Sequence, residues 1–176
     1  KIKKNFELAS IIVHQKESGY QNNPNDSGNW TGGKIGVGLP KGTKYGISAA
    51  AYPHLDIKNL TKEDSIRIYK EDYWDACGAN MVPERFRLHV FDMAVNAGPA
   101  TAIKILQRAA LVDDDGKIGP KTLSAIPSTS VQDYTTERIK YYEAIVKKNP
   151  IKRKYLKGWK RRALDIERIT LEALKK

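Results

Sequence analysis

Apolar residues recur at three- and four-residue spacings along most of this 176-residue chain, and each such stretch is bounded by a start or stop signal for a helix. Phe6, Ala9, Ile12 and Val13 do so over residues 5–16. Thr61 and Asp64 resemble a capping box ahead of Ile66, Ile68, Tyr69 and Tyr73, a stripe that Trp74 closes. Pro83 opens a segment carrying Phe86, Val90, Met93 and Ala94 that stops at Gly98, and Pro99 opens the next, with Ile103, Leu106 and Ala110. After a turn at 113–116, Pro120 begins a short helix, and residues 131–148 turn Tyr134, Tyr142 and Ile145 inward until Asn149 and Pro150 end them. The last segment, about 152–174, sets Leu156, Trp159, Leu164, Ile166 and Ile169 on one side and basic residues on the other. No stretch alternates long enough to make a strand, so the expected class is all-α.

Residues 18–46 break the pattern, since nearly thirty positions rich in Gly, Asn, Asp, Ser, Pro and Thr show no period at all. Loops that long inside a domain are functional or disordered. Hydrophobic content of 40% against 29% charged residues is that of a packed protein, so this stretch is expected to sit on a real core. Lys and Arg outnumber Asp and Glu by 31 to 20, a net charge of +11, which predicts attraction to a polyanion. The bias is steepest in Lys147, Lys148, Lys152, Arg153, Lys154, Lys157, Lys160, Arg161 and Arg162, which read equally as an anion-facing surface or as a solvated helix face. The single cysteine, Cys77, excludes an internal disulfide. The longest apolar run, residues 8–13, is too short to span a bilayer. No n-region, apolar core and cleavage site open the chain, so any export signal is expected to lie outside this sequence.

Chemistry concentrates where the first helix meets the loop. Glu17 stands at the helix end and Asp26 follows nine residues later, with Thr43, Tyr45 and Gly46 farther on. Glycoside cleavage needs this pairing: one carboxyl protonates the leaving oxygen while a second group handles the cationic sugar or the attacking water. At a helix C-terminus the macrodipole disfavours a negative charge by about 0.3–1 kcal/mol, which suits Glu17 to the acid's part. Taken singly, Glu17 also reads as a solvated helix-end residue and Asp26 as an Asx-turn former.

Three blocks carry a family resemblance. Glu17-Ser18-Gly19-Tyr20, Pro24-Asn25-Asp26-Ser27-Gly28 and Gly42-Thr43-Lys44-Tyr45-Gly46-Ile47-Ser48 are similar to the signature of glycoside hydrolase family 108, the N-acetylmuramidases of phage endolysins and of bacterial proteins once described as secretion activators. Residues 91–98, 106–109 and 115–122 resemble the peptidoglycan-binding region that accompanies that catalytic part. Ser18 stands where the family usually has glycine, and residues 29–41 lengthen the loop between Asp26 and Thr43.

The resemblance implies a lysozyme-like helical fold with a long glycine-rich active-site loop, a catalytic part over 1–95 and a helical binding part over 96–176, together forming one compact unit. It implies Glu17 as catalytic acid on the β-1,4 bond between N-acetylmuramic acid and N-acetylglucosamine, peptidoglycan as partner and the bacterial cell wall as place of action. The spacing of Glu17, Asp26 and Thr43 also resembles that in phage lysozymes, where such residues position the attacking water. On that resemblance Asp26 is an electrostatic stabiliser and Thr43 a water-holding hydroxyl, the alternative for Thr43 being a turn or cap. Tyr20, Trp30 and Tyr45 are candidates for packing on sugar rings or for anchoring the loop. Asn96 is a candidate cleft residue, or a helix cap or supporting residue, and Asp92 is expected to be structural.

Other signals are declined. Residues 33–38 match neither dinucleotide nor Walker patterns, and residues 113–116 lack the glutamate of a calcium loop. His14, His54 and His89 share no metal spacing with Cys77, so neither a zinc site nor any cofactor is expected, nor a cysteine nucleophile. Basic charge alone motivates no specific nucleic-acid partner. A monomer is expected. A lytic transglycosylase and a non-catalytic wall-binding or secretion-assisting protein are the competing functions.

Overall fold

Local start signals close as the sequence predicts. In the computed structural model, which describes residues 2–17 and 19–176 with side chains from residue 5 onward, Thr61 and Asp64 cap each other's backbone at 3.1 and 3.2 Å. Ser130 and Asp133 form a second such box, at 2.9 and 3.0 Å. The reading of Ser18 as a replaced glycine falls outside the described residues.

The described chain divides into two compact units, Lys1–Glu71 and Asp72–Lys176. In the first, α1 (Ile2–Lys16) and α2 (Lys62–Ile68) flank a long irregular stretch that contains a 3-10 turn (Ser27–Asn29) and a two-stranded antiparallel pair, β1 (Thr43–Lys44) and β2 (Ile47–Ser48). Phe6, Ala9 and Val13 of α1 are buried together with Ile47, Ala49, Ile57, Leu60 and Tyr69. Removing each large aliphatic side chain from water contributes about 1.5–3 kcal/mol, so the irregular stretch is held by the core as much as by its own bonds.

The second unit contains α3 (Glu84–Ala97), α4 (Pro99–Ala109), α5 (Pro120–Ala125), α6 (Val131–Lys148) and α7 (Arg153–Leu174). Helix α6 packs on α7 and α4, and α3 on α4 and α7, around Phe86, Val90, Met93, Ile105, Leu106, Tyr134, Tyr142 and Ile166. Gly98, at φ +99, separates α3 from α4. The described residues are thus mainly helical, with the single small sheet as the only paired strands among them.

Three details correct the sequence reading. The stripe that begins at Thr61 is α-helical only to Ile68 and then widens into a π-helical turn, Tyr69–Asp75. The wider turn leaves Tyr69 and Trp74 fully buried, whereas Ile66 and Ile68 are half-buried. Leu164, placed inward by its spacing, is 51% exposed, and the buried positions of α7 are Ala163, Ile166 and Thr170. Where no strand pattern was read, residues 19–48 contain the short β1–β2 pair and bridges at Gln21↔Thr43 and Trp30↔Pro40.

A charged cluster lies inside the second unit. Asp92, fully buried, accepts from Arg138 Nη2 at 2.6 Å and from Arg162 Nη2 at 2.9 Å. Burial opposes its ionisation, but the two guanidinium groups outweigh burial and hold the carboxyl below its usual range. Arg138 also reaches His89 Nδ1 at 3.2 Å; since a guanidinium only donates, that nitrogen carries no proton and the ring is neutral. Burial, aided by Arg138, pushes His89 down to about 3. The structural role expected of Asp92 is what this geometry provides.

Candidate active site

Glu17 follows the last turn of α1, its N–H donating to Val13 O at 3.0 Å, and its side chain is half-buried. What faces the carboxyl is a glycine. The β1–β2 pair, Thr43↔Ser48 and Lys44↔Ile47, leaves Tyr45 and Gly46 as a two-residue turn with φ of +54° and +76°. Positive φ at both positions matches the twist of the strands and favours a glycine in the second. Here a Cβ on residue 46 would stand 2.9 Å from Glu17 Cδ and 3.0 Å from its Oε2, so a side chain there would displace the carboxyl.

Tyr45 takes the other left-handed position at a cost of about 1–2 kcal/mol for a residue with a Cβ, offset by its anchors. Its carbonyl accepts from the Tyr69 hydroxyl, and its ring lies 4.3 Å from the His14 ring. His14 Nε2 is 3.0 Å from Ser65 Oγ, whose only proton goes to Lys62 O at 2.6 Å. The imidazole is therefore the donor, with its proton on Nε2. Burial, then the Lys62 charge, lowers the pKa of His14 below its usual value. Helix α1 thus leads directly into Glu17 and carries, one turn earlier, the ring that props the hairpin turn.

A polar chain connects the remaining candidates. Thr43 Oγ1 donates to Asn29 Oδ1 at 2.6 Å, and Asn29 is fully buried. Asn29 Nδ2 donates to Gln21 Oε1 at 2.8 Å and to Asn23 O at 2.9 Å. Gln21 Nε2 in turn donates to Asp26 Oδ2 at 3.1 Å, while Asp26 Oδ1 accepts from Gly28 N at 2.9 Å and caps the 3-10 turn. Asp26 is exposed and Thr43 half-buried. Backbone bonds between Gln21 and Thr43, both 2.9 Å, hold the two ends of the chain in register.

The aromatic candidates of this unit lie along the same stretch. Tyr20, 38% exposed, covers Gly42, where a Cβ would come within 2.7 Å of its ring. Trp30 is half-buried and donates its indole N–H to Pro24 O at 3.0 Å, which ties the start of the glycine-rich loop to the turn before it. Asn96 belongs to the second unit, where its Oδ1 accepts from the Tyr142 hydroxyl at 2.6 Å. Gln21, Asn29, His14 and Gly46 are the site residues that sequence reasoning did not single out as functional. For His14 a signal existed, one helical turn before Glu17, and for Gly46 the turn motif; for the two amides none did.

No group of three or more His, Cys, Asp or Glu that could hold a metal occurs among the described residues, and no described helix is long and apolar enough to cross a membrane.

The family model for glycosyl hydrolase 108 matches residues 11–98, and the model for a predicted peptidoglycan domain matches residues 101–164. Among solved structures, that of Brucella abortus SagA matches with a TM-score of 0.77 and 29% identity, covering 97% of this chain and 95% of that one. No curated protein matches the sequence. The first model spans half of the chain and includes Glu17, Asp26, the hairpin and α3, and the second spans α4 to the middle of α7. This chain therefore belongs to glycosyl hydrolase family 108, with a peptidoglycan domain following the catalytic family's region.

Proposed function

We propose that this protein is an N-acetylmuramidase that cleaves the β-1,4 bond between N-acetylmuramic acid and N-acetylglucosamine, with Glu17 as general acid. One observation carries the reading: the Glu17 carboxyl lies against Gly46 in the turn of the hairpin whose first strand begins at Thr43. Glu17 gives its proton to the leaving oxygen, Asp26 stabilises the positive charge that develops on the sugar, and Thr43 holds water. Tyr20, Trp30 and Tyr45 contact the sugar rings. Asn96 contributes, if it touches substrate, through its amide nitrogen, because its oxygen is held by Tyr142.

Function divides at about residue 95, with catalysis before it and wall binding after. Exposed Lys152, Arg153, Lys154, Lys157 and Arg161 on and before α7 supply the charge that concentrates a monomer on the anionic wall. Purified peptidoglycan digested with the protein and with Glu17→Gln, and analysed by mass spectrometry, tests this. Reducing N-acetylmuramic acid ends from the unaltered protein alone are expected. Anhydro ends would make it a lytic transglycosylase, equal release from both proteins would remove Glu17 as the acid, and no release from either would leave a wall-binding or secretion-assisting role.

A further inference from the structure

The polarity of the chain from Asp26 to Thr43 is fixed by backbone groups. Asn23 supplies both reference points, because its N–H donates to Gln21 Oε1 at 3.0 Å and its carbonyl accepts from Asn29 Nδ2 at 2.9 Å. A backbone carbonyl only accepts and a backbone N–H only donates, so neither amide can be turned over without placing like groups against each other. Asn29 Oδ1 therefore faces Thr43, and an amide oxygen has no proton to give. The 2.6 Å bond between them uses the one proton of the Thr43 hydroxyl. Beyond Asn29, that hydroxyl can only accept.

We infer that Asn29 is a positioning residue: it holds the half-buried Thr43 hydroxyl as a pure acceptor, so that a water bound there must donate one O–H to Thr43 and turn a lone pair away from it. This rests on the muramidase reading above. In hydrolysis the water oxygen forms the new bond to C1, and the electron pair of the broken C1–O bond stays on the leaving oxygen, which takes the proton of Glu17. The water proton directed at Thr43 stays on the new hydroxyl, and the other leaves to a carboxylate of the site. A Thr43 hydroxyl free to donate would instead occupy that lone pair. Gln21 ties Asp26 into the same chain, and the full burial of Asn29 keeps solvent from competing for its oxygen.

The test uses Asn29→Ala, Thr43→Val, their double variant and Thr43→Ser, each shown by thermal unfolding to be folded at the assay temperature. Each of the first two is expected to lower kcat by about tenfold to a hundredfold with KM nearly unchanged, the double variant to be no worse than the weaker single, and Thr43→Ser to restore activity. A rise in anhydro ends over reducing ends in Asn29→Ala is expected too, because the internal hydroxyl of the sugar then competes with a misplaced water. Losses that multiply in the double variant, or that fall on KM, overturn the assignment.

A second measurement separates its failure from that of the parent reading. In the substrate-free protein, proton NMR should show a slowly exchanging Thr43 hydroxyl coupled in space to the Asn29 side chain. Absence of that signal in an enzyme that cuts glycan defeats the role of Asn29 alone. Its presence in a protein that cuts nothing defeats the muramidase reading, and the positioned water with it.

Discussion

The two units solve the same problem, polar groups out of contact with water, by opposite means. In the first, Asn29 is buried among neutral partners, Gln21, Asn23 and Thr43, and every bond direction follows from a backbone group. In the second, Asp92 is buried between Arg138 and Arg162, with a neutral His89 behind them. Desolvating ions costs several kcal/mol each and is recovered only while every partner stays in place, whereas neutral amides cost less to bury and give less when paired. The charged cluster joins α3, α6 and α7 and acts as an all-or-none lock on the helices. The amide chain sets the directions in which a few hydrogen atoms point.

Asp92→Ala should show the largest effect, because it strands Arg138 in the interior: about 3–5 kcal/mol lost in urea unfolding, against about 1–3 kcal/mol for Asn29→Ala. Equal losses at the two positions would end the contrast. Acidification should give the next largest effect, through His89. Unfolded His89 takes up a proton below its ordinary value of 6.5, while the folded ring does so only near 3. Stability therefore falls as pH drops through that window, by at most about 1.4 kcal/mol per pH unit, and His89→Gln should flatten the slope. Asp92, depressed in the folded state, contributes stability above the usual carboxylate range that is lost only at still lower pH. Calorimetric melts from about pH 7 to 3 measure the His89 part, and their continuation below about pH 3 follows that of Asp92.

Two left-handed residues sharpen the comparison further. Gly46→Ala should cost about 1–2 kcal/mol in stability and also abolish glycan release, because the new methyl displaces the Glu17 carboxyl. A variant that melts early yet keeps full activity would contradict that contact. Leu111, at φ +59 and 91% exposed, ends α4 in the second unit with its N–H on Arg108 O and that of Val112 on Gln107 O. This is a Schellman arrangement with leucine where glycine is favoured, so Leu111→Gly should raise stability by about 0.5–1 kcal/mol and leave activity unchanged.

Most of the helices were legible in the sequence because their signals are local: a 3.6-residue period and caps such as Thr61 with Asp64. What was lost depends on partners far along the chain. Nothing near Tyr69 announces a π-helical turn, since the burial of Tyr69 and Trp74 decides it, and Leu164 has the right spacing but faces solvent. A pair of two-residue strands is too short for any alternation to register. In the site, Glu17 was visible as a carboxyl at a helix end beside a long loop. Asn29 and Gln21 were not, because an amide in a polar loop looks like any other until the loop closes. Asn96 had a helix-end position to recommend it, and only the fold shows its oxygen engaged by Tyr142.

The bridge between Trp30 and Pro40 closes the glycine-rich loop at its neck, with Gly42 N on Asn29 O just below it. Everything beyond the bridge is outside the path from Glu17 to Thr43. Doubling the length of a flexible loop adds only about 0.6 kcal/mol of closure entropy, so the span between the two bridge residues can be exchanged or extended without moving the hairpin. It is a socket in which a foreign peptide can be carried with the hairpin left in place.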